Sequence, residues 1–306
     1  MNFSEKLKVA GLRYNLETYQ DEVNTSRELL QYCILTSLSK SGFFDQTAFL
    51  GGTSLRLFRG LDRFSEDLDF SVKTANKDFD FSSYLDFVQK DLYDMGIQAE
   101  IKNKSKPDTT VKKAFVKDNS IAQLLDFSWA TRKTDTPQKI SIKLEVDSNP
   151  PEGATFETKI IPFPERQKLT LYDASSSFAG KCHALLTRKY IKGRDWYDYL
   201  FYVANNIQPN YKLLTNALKQ TGDYKFSEKI ISPKNLINSL NNKIESLDMK
   251  FITEDMNGFV SFKQMKKISE WDKSIFFNAT KKLETLIAKN TRSYSIREAD
   301  HPSPSD

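Results

Sequence analysis

The chain has 306 residues, of which 39% are hydrophobic and 12% aromatic, so it can bury a substantial core and is not a disordered polypeptide. Its net charge of +5 is too small to mark a nucleic-acid-binding protein by itself. With two cysteines, two histidines and no apolar run of about 20 residues, it lacks the features of a disulfide scaffold, a histidine-based zinc protein or a membrane-spanning protein. We therefore expect a cytoplasmic protein without a membrane segment.

The first part of the chain alternates between helical and extended patterns. Apolar residues first recur at helical spacing, and a short apolar run then ends at two glycines. In later segments apolar and polar residues alternate. The predicted helices are 5–40, 53–58 and 82–95, and the predicted strands are 48–50, 67–72, 97–101, 114–116, 124–129, 139–147 and 156–161. This mixture indicates an α+β lobe.

The second part of the chain is helical, because apolar side chains recur at helical spacing from residue 172 onward. The clearest later segments are 211–219, 233–247 and 274–289. The proline-containing tail, residues 294–306, is expected to fray. The predicted fold class is therefore α+β, with a mixed-sheet lobe over residues 1–165 followed by a mainly helical C-terminal lobe over residues 166–306.

A glycine pair with two hydroxyl residues stands between the first predicted strand and the helix after it. Gly51 and Gly52 permit a close approach of the backbone, and Thr53 and Ser54 supply hydroxyl and N–H groups at the helix start. Helix N-termini favour anions because their N–H groups lack intrahelical partners and the helix dipole is positive there. The segment predicts a phosphate cradle, although an ordinary strand-to-helix turn would also use glycine.

Two aspartates lie on the next predicted strand. At a spacing of two, Asp67 and Asp69 project from the same face, close enough to bind one divalent ion or to bridge two. Mg²⁺ prefers a few carboxylates together with substrate phosphate oxygens and water, and nucleotidyl transfer needs such ions. Alone, so short a motif is more often a solvent-facing pair at a strand end. The glycine segment upstream favours the metal-binding interpretation.

A third carboxylate is expected on a neighbouring strand. Glu145 is the first candidate and Asp147 the second, since both lie on the polar face of the predicted strand 139–147. Lys143 shares that face, so an exposed strand face with alternating charges is the alternative interpretation.

Charged residues also recur in the helical part. Lys181 and Arg188 are seven residues apart, hence on one helical face, from which they could reach nucleotide phosphates. Asp195 and Asp198 lie three apart on the next helix and could orient that lysine or the acceptor. Ordinary salt bridges between packed helices are the alternative.

Lysines are concentrated between residues 102 and 117, where six lysines accompany a single acid, Asp108. Such a cluster can contact a phosphate backbone. It can equally be a solvated, lysine-rich loop.

Taken together, these motifs resemble the AbiEii/AbiGii toxin family of the nucleotidyltransferase superfamily. Leu50-Gly51-Gly52 and Asp67-Leu68-Asp69 meet the superfamily pattern. The longer strings Gly-Gly-Thr-x-Leu-Arg and Arg-x-Ser-x-Asp-Leu-Asp-Phe look like this toxin family in particular. Lys143-Leu144-Glu145-Val146 is similar to the family's strand with the third acid, and Lys181 followed by Arg194-Asp195-Trp196-Tyr197-Asp198 is similar to its distal motif.

The resemblance covers about residues 45–205 and implies a Mg²⁺-dependent nucleotidyltransferase fold and activity, with a nucleoside triphosphate as substrate. The catalytic residues expected are Asp67, Asp69, Glu145, Lys181 and Asp198, the first three of them as metal ligands. The residues expected to bind the nucleotide are Gly51, Gly52, Thr53, Ser54, Ser65, Lys181 and Arg188. Whether Asp147 or Asp195 shares the acidic roles is open.

The resemblance further implies a toxin of a bacterial toxin–antitoxin or abortive-infection (phage-defence) operon, with an antitoxin encoded beside it. Some relatives add nucleotides to the 3′ end of tRNA, so RNA is the expected acceptor, entering along a basic cleft to which Lys181 and Asp198 contribute. In some relatives the serine two residues before the first aspartate, here Ser65, can be phosphorylated by an antitoxin.

Two other functions remain open from the sequence. One is nucleotidyl transfer to a small molecule or a protein hydroxyl, and the other is a non-catalytic partner protein that binds nucleotide or RNA. The intact set of acids argues against the second, and tRNA binding with a steep salt dependence would argue against the first.

Overall fold

The structure is a computed structural model that describes residues 2–106, 109–127, 139–222 and 230–299, with side chains up to residue 289. Its contacts divide the chain into two compact units. The first unit comprises Met1–Pro150 and Phe156–Asp173, and the second comprises Pro151–Thr155 and Ala174–Asp306.

One mixed sheet organises the first unit. Within the described residues its seven strands are β1 (Thr47–Leu50), β2 (Leu68–Val72), β3 (Glu100–Asn103), β4 (Val111–Asp118), β5 (Ile140–Asp147), β6 (Phe156–Ile161) and β7 (Gln167–Tyr172). Their order across the sheet is β3-β4-β5-β2-β1-β7-β6. The β2–β5 and β1–β7 pairs are parallel, whereas the remaining pairs are antiparallel. The prediction of an α+β mixed-sheet fold is confirmed.

Where the first unit is described, its helices are α1 (Phe3–Gly11), α2 (Tyr19–Lys40), α3 (Phe43–Gln46), α4 (Gly51–Arg59), α5 (Ser82–Asp94) and α6 (Ser120–Leu124). Residues 5–40, which were predicted to be helical with a helix start within residues 24–28, instead form two helices, and the second begins earlier, at Tyr19. Thr18 starts a new helix, because its hydroxyl accepts from the backbone of Asp21 while the Asp21 carboxylate accepts from the Thr18 N–H. Apolar periodicity continues across this break and does not reveal it.

Three strand predictions also need correction. The strand predicted at residues 97–101 begins only at Glu100. Leu124 ends helix α6 instead of beginning a strand over 124–129, and Asp126 has a left-handed φ of 57°, while residues 128–129 lie outside the described part. Strand β7 was missed, because it directly precedes the helical half and was read with it.

The core of the first unit lies where α2 and the aromatic residues after it pack on the sheet. Leu30, Cys33 and Ile34 of α2 are fully buried, and burial raises the pKa of the Cys33 thiol. At the end of α2, the ring of Phe43 is fully buried among aromatic rings. Its five neighbours, with centroids 5.0–6.1 Å away, are Phe44, Phe70, Phe79, Phe81 and Tyr84.

The second unit is helical in its described part, as predicted. Its helices are α7 (Ala174–Thr187), α8 (Gly193–Ala204), α9 (Tyr211–Gln220), α10 (Pro233–Glu245), α11 (Met249–Asp255), α12 (Phe262–Ile268) and α13 (Lys273–Ala299). Helix α13 includes residues 294–299, where a fraying tail was predicted, and the rest of that tail lies outside the described residues. Among the described helices, none combines the length and apolarity of a membrane span.

We predict that Phe43→Ala lowers the free energy of unfolding by about 3–5 kcal/mol, because it leaves a cavity among five aromatic rings. The matched control is Phe87→Ala on α5, whose side chain is 39% exposed and whose loss should cost less than about 1 kcal/mol. Urea denaturation followed by circular dichroism measures both. Equal losses would contradict the assignment of the core.

Candidate active site

Helix α4 begins at the carboxyl end of strand β1, and no side chain caps it. Its first N–H groups therefore have neither an intrahelical acceptor nor a capping oxygen, and the helix dipole makes this end favourable for an anion. Gly51 has a left-handed φ of 82°, which a residue with a side chain rarely adopts. The sequence therefore starts this helix in a way that leaves its N–H groups open to a ligand.

Glycine is required at the start of α4 because polar side chains lie against it. A Cβ atom on Gly51 would stand 3.2 Å from both Cβ and Cγ of Asp69. A Cβ atom on Gly52 would stand 2.6 Å from an Arg63 guanidinium nitrogen and 3.0 Å from the Ser65 hydroxyl. The two glycines thus let the backbone of the helix start touch an acid, a cation and a hydroxyl at once.

The hydroxyls of Thr53 and Ser54 are occupied within the chain. Both residues are buried; the Thr53 hydroxyl donates to the carbonyl of Asp67, and the Ser54 hydroxyl donates to the carbonyl of Gly51 at 2.9 Å. Thr53 therefore holds the backbone of the first aspartate. That the Thr53 and Ser54 hydroxyls contact a triphosphate stays a prediction. The N–H groups at the start of α4 are better placed to donate to phosphate oxygens.

The segment before β2 is also anchored to α2. The side-chain amide of Gln31, which is buried, donates to the carbonyls of Ser65 and Glu66 at 3.0 Å each. Ser65 and Asp67 are consequently fixed from two sides, by α2 and by α4. The predicted site residues before the strand thus have defined backbone positions.

Strand pairing brings the predicted acids onto one face of the sheet. In the parallel β2–β5 pair, Asp69 lies directly opposite Glu145, and Ser71 lies opposite Asp147. Asp67 immediately precedes β2, and its carboxylate, like that of Asp69, attracts the Lys143 ammonium. Neighbouring strands are about 4.8 Å apart, so the Asp69 and Glu145 carboxylates can approach a common ion or substrate. Asp147 lies one step farther along the face.

Two lysines neutralise Glu145. The Lys143 ammonium lies 2.6 Å from one carboxylate oxygen and the Lys113 ammonium 3.0 Å from the other. Burial alone would raise the pKa of Glu145, but hydrogen bonds and attraction from these lysines outweigh it and hold the pKa below its usual value. Burial lowers the pKa of Lys143, and Glu145 together with Asp67 and Asp69 more than reverses this. These five groups form one charge cluster.

The acids fit a divalent ion only in part. Within the described residues, no group of three or more histidine, cysteine, aspartate or glutamate side chains is arranged as a metal site. Asp67 and Asp69 share a face, and Mg²⁺ often takes just one or two carboxylates and completes its shell with substrate phosphates and water. Both oxygens of Glu145 already contact lysines, which compete with an ion for this carboxylate. The residues therefore fit Mg²⁺ that arrives with a phosphorylated substrate.

Arg27 of α2 is a neighbour of these acids that the sequence interpretation missed. Its guanidinium lies 3.6 Å from the Glu66 carboxylate and is largely buried. Burial lowers its pKa, whereas attraction to Glu66 and Asp67 opposes that shift. Its Nε atom is buried without a hydrogen-bond partner in the described structure. No sequence motif announces it, because it stands 40 residues before Asp67 on another element.

The second predicted cluster lies in the second unit, between α7 and α8. The Lys181 ammonium lies 2.7 Å from Asp195 and 2.9 Å from Asp198, whose side chain is fully buried. Arg188 pairs with the other oxygen of Asp195. Burial would raise the pKa of Asp195, but Lys181, Arg188 and Lys192 together hold it below its usual value. The structure thus contains the interhelical ion pairs of the alternative interpretation.

The chain matches the AbiEii family, described as a nucleotidyl transferase toxin of a type IV toxin–antitoxin system, over residues 33–270. The crystal structure of JHP933 from Helicobacter pylori superposes with a TM-score of 0.52 at 17% identity, covering 90% of this chain and 97% of that one. A second H. pylori structure, described as a candidate nucleotidyltransferase, gives a TM-score of 0.46 at 20% identity and covers 84% and 97%. A comparison with curated proteins found no match.

This chain thus shares its fold with a solved bacterial protein. The family match places it in the nucleotidyltransferase class. The chain belongs to the AbiEii toxin family of type IV toxin–antitoxin systems, because the family match spans well over half of its length. The resemblance seen in the sequence is confirmed, and membership of this family implies an antitoxin partner.

We predict that Gly51→Ala destroys nucleotidyl transfer, since its methyl group would press on Asp69 and its backbone would resist the left-handed φ of 82°. Gly60→Ala is the matched control, because Gly60 ends the same helix with a φ of 80° but has nothing within 4 Å of an added Cβ. Both variants should lose about 1–2 kcal/mol of stability from the left-handed backbone. Only Gly51→Ala should lose activity; equal activity losses would show that strain, rather than contact with Asp69, is responsible.

We predict that Lys181→Met makes the second unit sensitive to acid. Lys181, Arg188 and Lys192 hold the pKa of Asp195 below its usual value, so the stabilising effect is complete above the pKa of the unfolded chain and is lost as the pH falls through the folded-state pKa. Without Lys181, burial raises that pKa, and unfolding begins at a higher pH. Loss of one partner from this buried pair should also cost about 3–5 kcal/mol at neutral pH.

Tryptophan fluorescence during acid titration measures this effect, because the indole of Trp196 is buried on α8. Lys189→Met, at an exposed neighbouring position, is the control and should leave the acid transition unchanged. An unchanged transition in Lys181→Met would refute the stabilising role of this ion pair.

Proposed function

We propose that this protein transfers a nucleotide from a nucleoside triphosphate to a hydroxyl of RNA, with the 3′ end of tRNA as acceptor and Mg²⁺ as cofactor. The observation that carries the proposal is the register of β2 against β5, which sets Asp69 opposite Glu145 beside the uncapped start of α4. An anion-favouring helix end next to a face of carboxylates is suited to a triphosphate accompanied by a divalent ion.

Each part of the site has a distinct task in this reaction. The acceptor hydroxyl loses its proton to solvent as its oxygen forms a bond to the α-phosphorus, the bond from that phosphorus to the bridging oxygen breaks, and pyrophosphate leaves. The N–H groups at Gly51 and Gly52 bind phosphate oxygens, and Ser65 lies beside them. Asp67 and Asp69 would hold Mg²⁺, which when bound activates the attacking hydroxyl and neutralises developing charge. Arg27 and Arg63 partly offset the negative charge of the carboxylates, which would otherwise repel a triphosphate.

Glu145 has a more limited role than that of a strong base. A carboxylate whose pKa is held below its usual value is ionised at neutral pH but accepts a proton weakly. It is therefore better suited to orient the acceptor hydroxyl or to complete the metal shell than to carry its proton. Either role requires Lys113 or Lys143 to release it.

The tasks of Lys181, Arg188 and Asp198 in transfer stay proposals. Lys181 and Arg188 are cations that can contact phosphate, but both are already paired with Asp195. A phosphate would have to take the place of one of these carboxylate contacts. We propose that the family's setting applies as well: a cytoplasmic toxin in phage defence by abortive infection, controlled by an antitoxin from the same operon.

The direct test is to incubate the purified protein with Mg²⁺, total tRNA and each radiolabelled nucleoside triphosphate in turn, and to resolve the products on a denaturing gel. Label in the tRNA band that requires Mg²⁺ supports the proposal and identifies the nucleotide. Label on protein or on small molecules instead would move the acceptor. Nucleotide or RNA binding without transfer to any acceptor would favour a non-catalytic partner protein.

We predict that Asp67→Asn and Asp69→Asn each lower the transfer rate at least about a hundredfold, since a carboxylate that holds the metal contributes several kcal/mol to transition-state stabilisation. Their circular dichroism spectra and thermal midpoints should match those of the wild type. Glu145→Gln and Asp147→Asn form a matched pair that decides which residue is the third acid. We expect the larger loss from Glu145→Gln, because it faces Asp69 directly. Full activity in a folded Asp69→Asn variant would end the metal assignment.

A further inference from the structure

We infer that a lysine-lined cavity at the β3–β4 end of the sheet binds backbone phosphates of the RNA acceptor, an inference that rests on the proposed function. The cavity has a volume of about 500 Å³. Its lining residues are Lys104, Lys106, Thr109, Thr110, Val111 and Lys113. They belong to the lysine-rich segment that the sequence left undecided between a phosphate-binding surface and a solvated loop.

Hydrogen bonds within the hairpin fix the backbone beneath these lysines. The N–H group of Lys104 donates to the carbonyl of Lys113 at 2.7 Å, and the N–H group of Lys113 donates to the Ser105 hydroxyl at 3.1 Å. The Thr109 hydroxyl donates to the carbonyl of Lys106 at 3.0 Å. Hydrogen bonds thus hold the backbone of the described residues 104–106 and 109–113, which carry the three ammonium groups.

Two of the three cavity lysines have no acidic partner among the described residues. Lys104 and Lys106 are exposed and contact no carboxylate among the described residues. By contrast, Lys102 on the same hairpin is paired with Glu100 at 2.9 Å. Lysine is a flexible point charge that binds phosphate without demanding one fixed geometry, so a cavity lined by lysines and threonine hydroxyls suits a chain of phosphates.

Lys113 connects the cavity to the acidic face. It lines the cavity, yet its ammonium lies 3.0 Å from Glu145 and it stands opposite Glu145 in the β4–β5 register. Glu145 in turn stands opposite Asp69. Lys113 and Asp69 are consequently two strand spacings apart, about 10 Å between backbones. An RNA strand whose phosphate contacts Lys113 would have its adjoining nucleotide within reach of the acids.

Lys113 is therefore shared between two anions. A phosphate in the cavity competes with Glu145 for the same ammonium, so RNA binding weakens one of the two lysine contacts that restrain this carboxylate. The cavity would then both hold the acceptor and release Glu145 for its part in the reaction. By linkage the reverse also holds, so removing the charge of Glu145 should increase the affinity for RNA.

The first experiment measures the binding of a short fluorescein-labelled single-stranded RNA by anisotropy, in EDTA and without nucleotide, over a range of salt concentrations. Lys104→Ala combined with Lys106→Ala should weaken binding on the order of tenfold and lower the slope of log affinity against log salt by about 1.4, since each phosphate contact on a single strand contributes about 0.7. The corresponding pair of glutamine variants should reproduce the loss and guards against an effect of folding.

The matched control removes two lysines from the opposite end of the same sheet. Lys159 on β6 and Lys168 on β7 carry the same total charge, so their double alanine variant reports the effect of net charge alone. An equal loss in this control, or unchanged binding in the cavity variants, would overturn the inference. A third result would also overturn it: cavity variants that bind RNA normally but lose metal-free binding of a fluorescent ATP analogue. The cavity would then be a triphosphate site.

The second experiment is a double-mutant cycle on the shared lysine. Glu145→Gln should tighten RNA binding several-fold by releasing Lys113, and Lys113→Ala should weaken it. In the Lys113→Ala background, Glu145→Gln should have little effect, because the lysine it would release is absent. Additive effects would refute the sharing of Lys113. All of these measurements are binding constants in EDTA, so they do not depend on whether the protein catalyses transfer. A failure of the RNA-binding inference would likewise not change the result of the transfer assay.

Discussion

The parallel pairing of β2 with β5 is the constraint on which the arrangement of this protein depends. The buried side chains of Leu68, Phe70, Leu144 and Val146 hold the two strands in register, with the polar residues on the opposite face. A slip by one residue would turn every carboxylate into the core, so burial of these apolar groups specifies the acidic face as firmly as it specifies the fold. The pairing of β4 with β5 extends the same row to Lys113.

The electrostatics of the acidic face follow from that register. Carboxylates brought together on adjacent strands repel one another, and partial burial makes their charge more costly. The protein answers with lysines on the same strands: Lys143 two residues before Glu145 and Lys113 directly across from it. In the absence of substrate these lysines stabilise the acids. The same contacts also weaken the binding of ligands, because any cation or phosphate that binds to the acidic face must compete with an internal ion pair.

Much of this arrangement was readable from the sequence, and the exceptions have physical causes. The alternation of apolar and polar residues around Asp67 and Asp69 predicted their strand and its face, since the period of a strand is local information. The opposition of Asp69 and Glu145 was not readable, because strand partners are chosen by tertiary packing. For the same reason Arg27 was missed, and the buried hydroxyls of Thr53 and Ser54 could not be told from exposed ones. The division of the first helix depended on a capping interaction at Thr18 that apolar spacing does not record.

The two cysteines have a practical consequence. Cys33 and Cys182 are fully buried, and burial raises the pKa of both thiols, so neither supplies an accessible thiolate at neutral pH. The folded chain should therefore resist alkylating reagents and mild oxidants without any residue being replaced. A single cysteine introduced on the surface would then be the one reactive thiol, and a spectroscopic probe could be attached there without replacing Cys33 or Cys182.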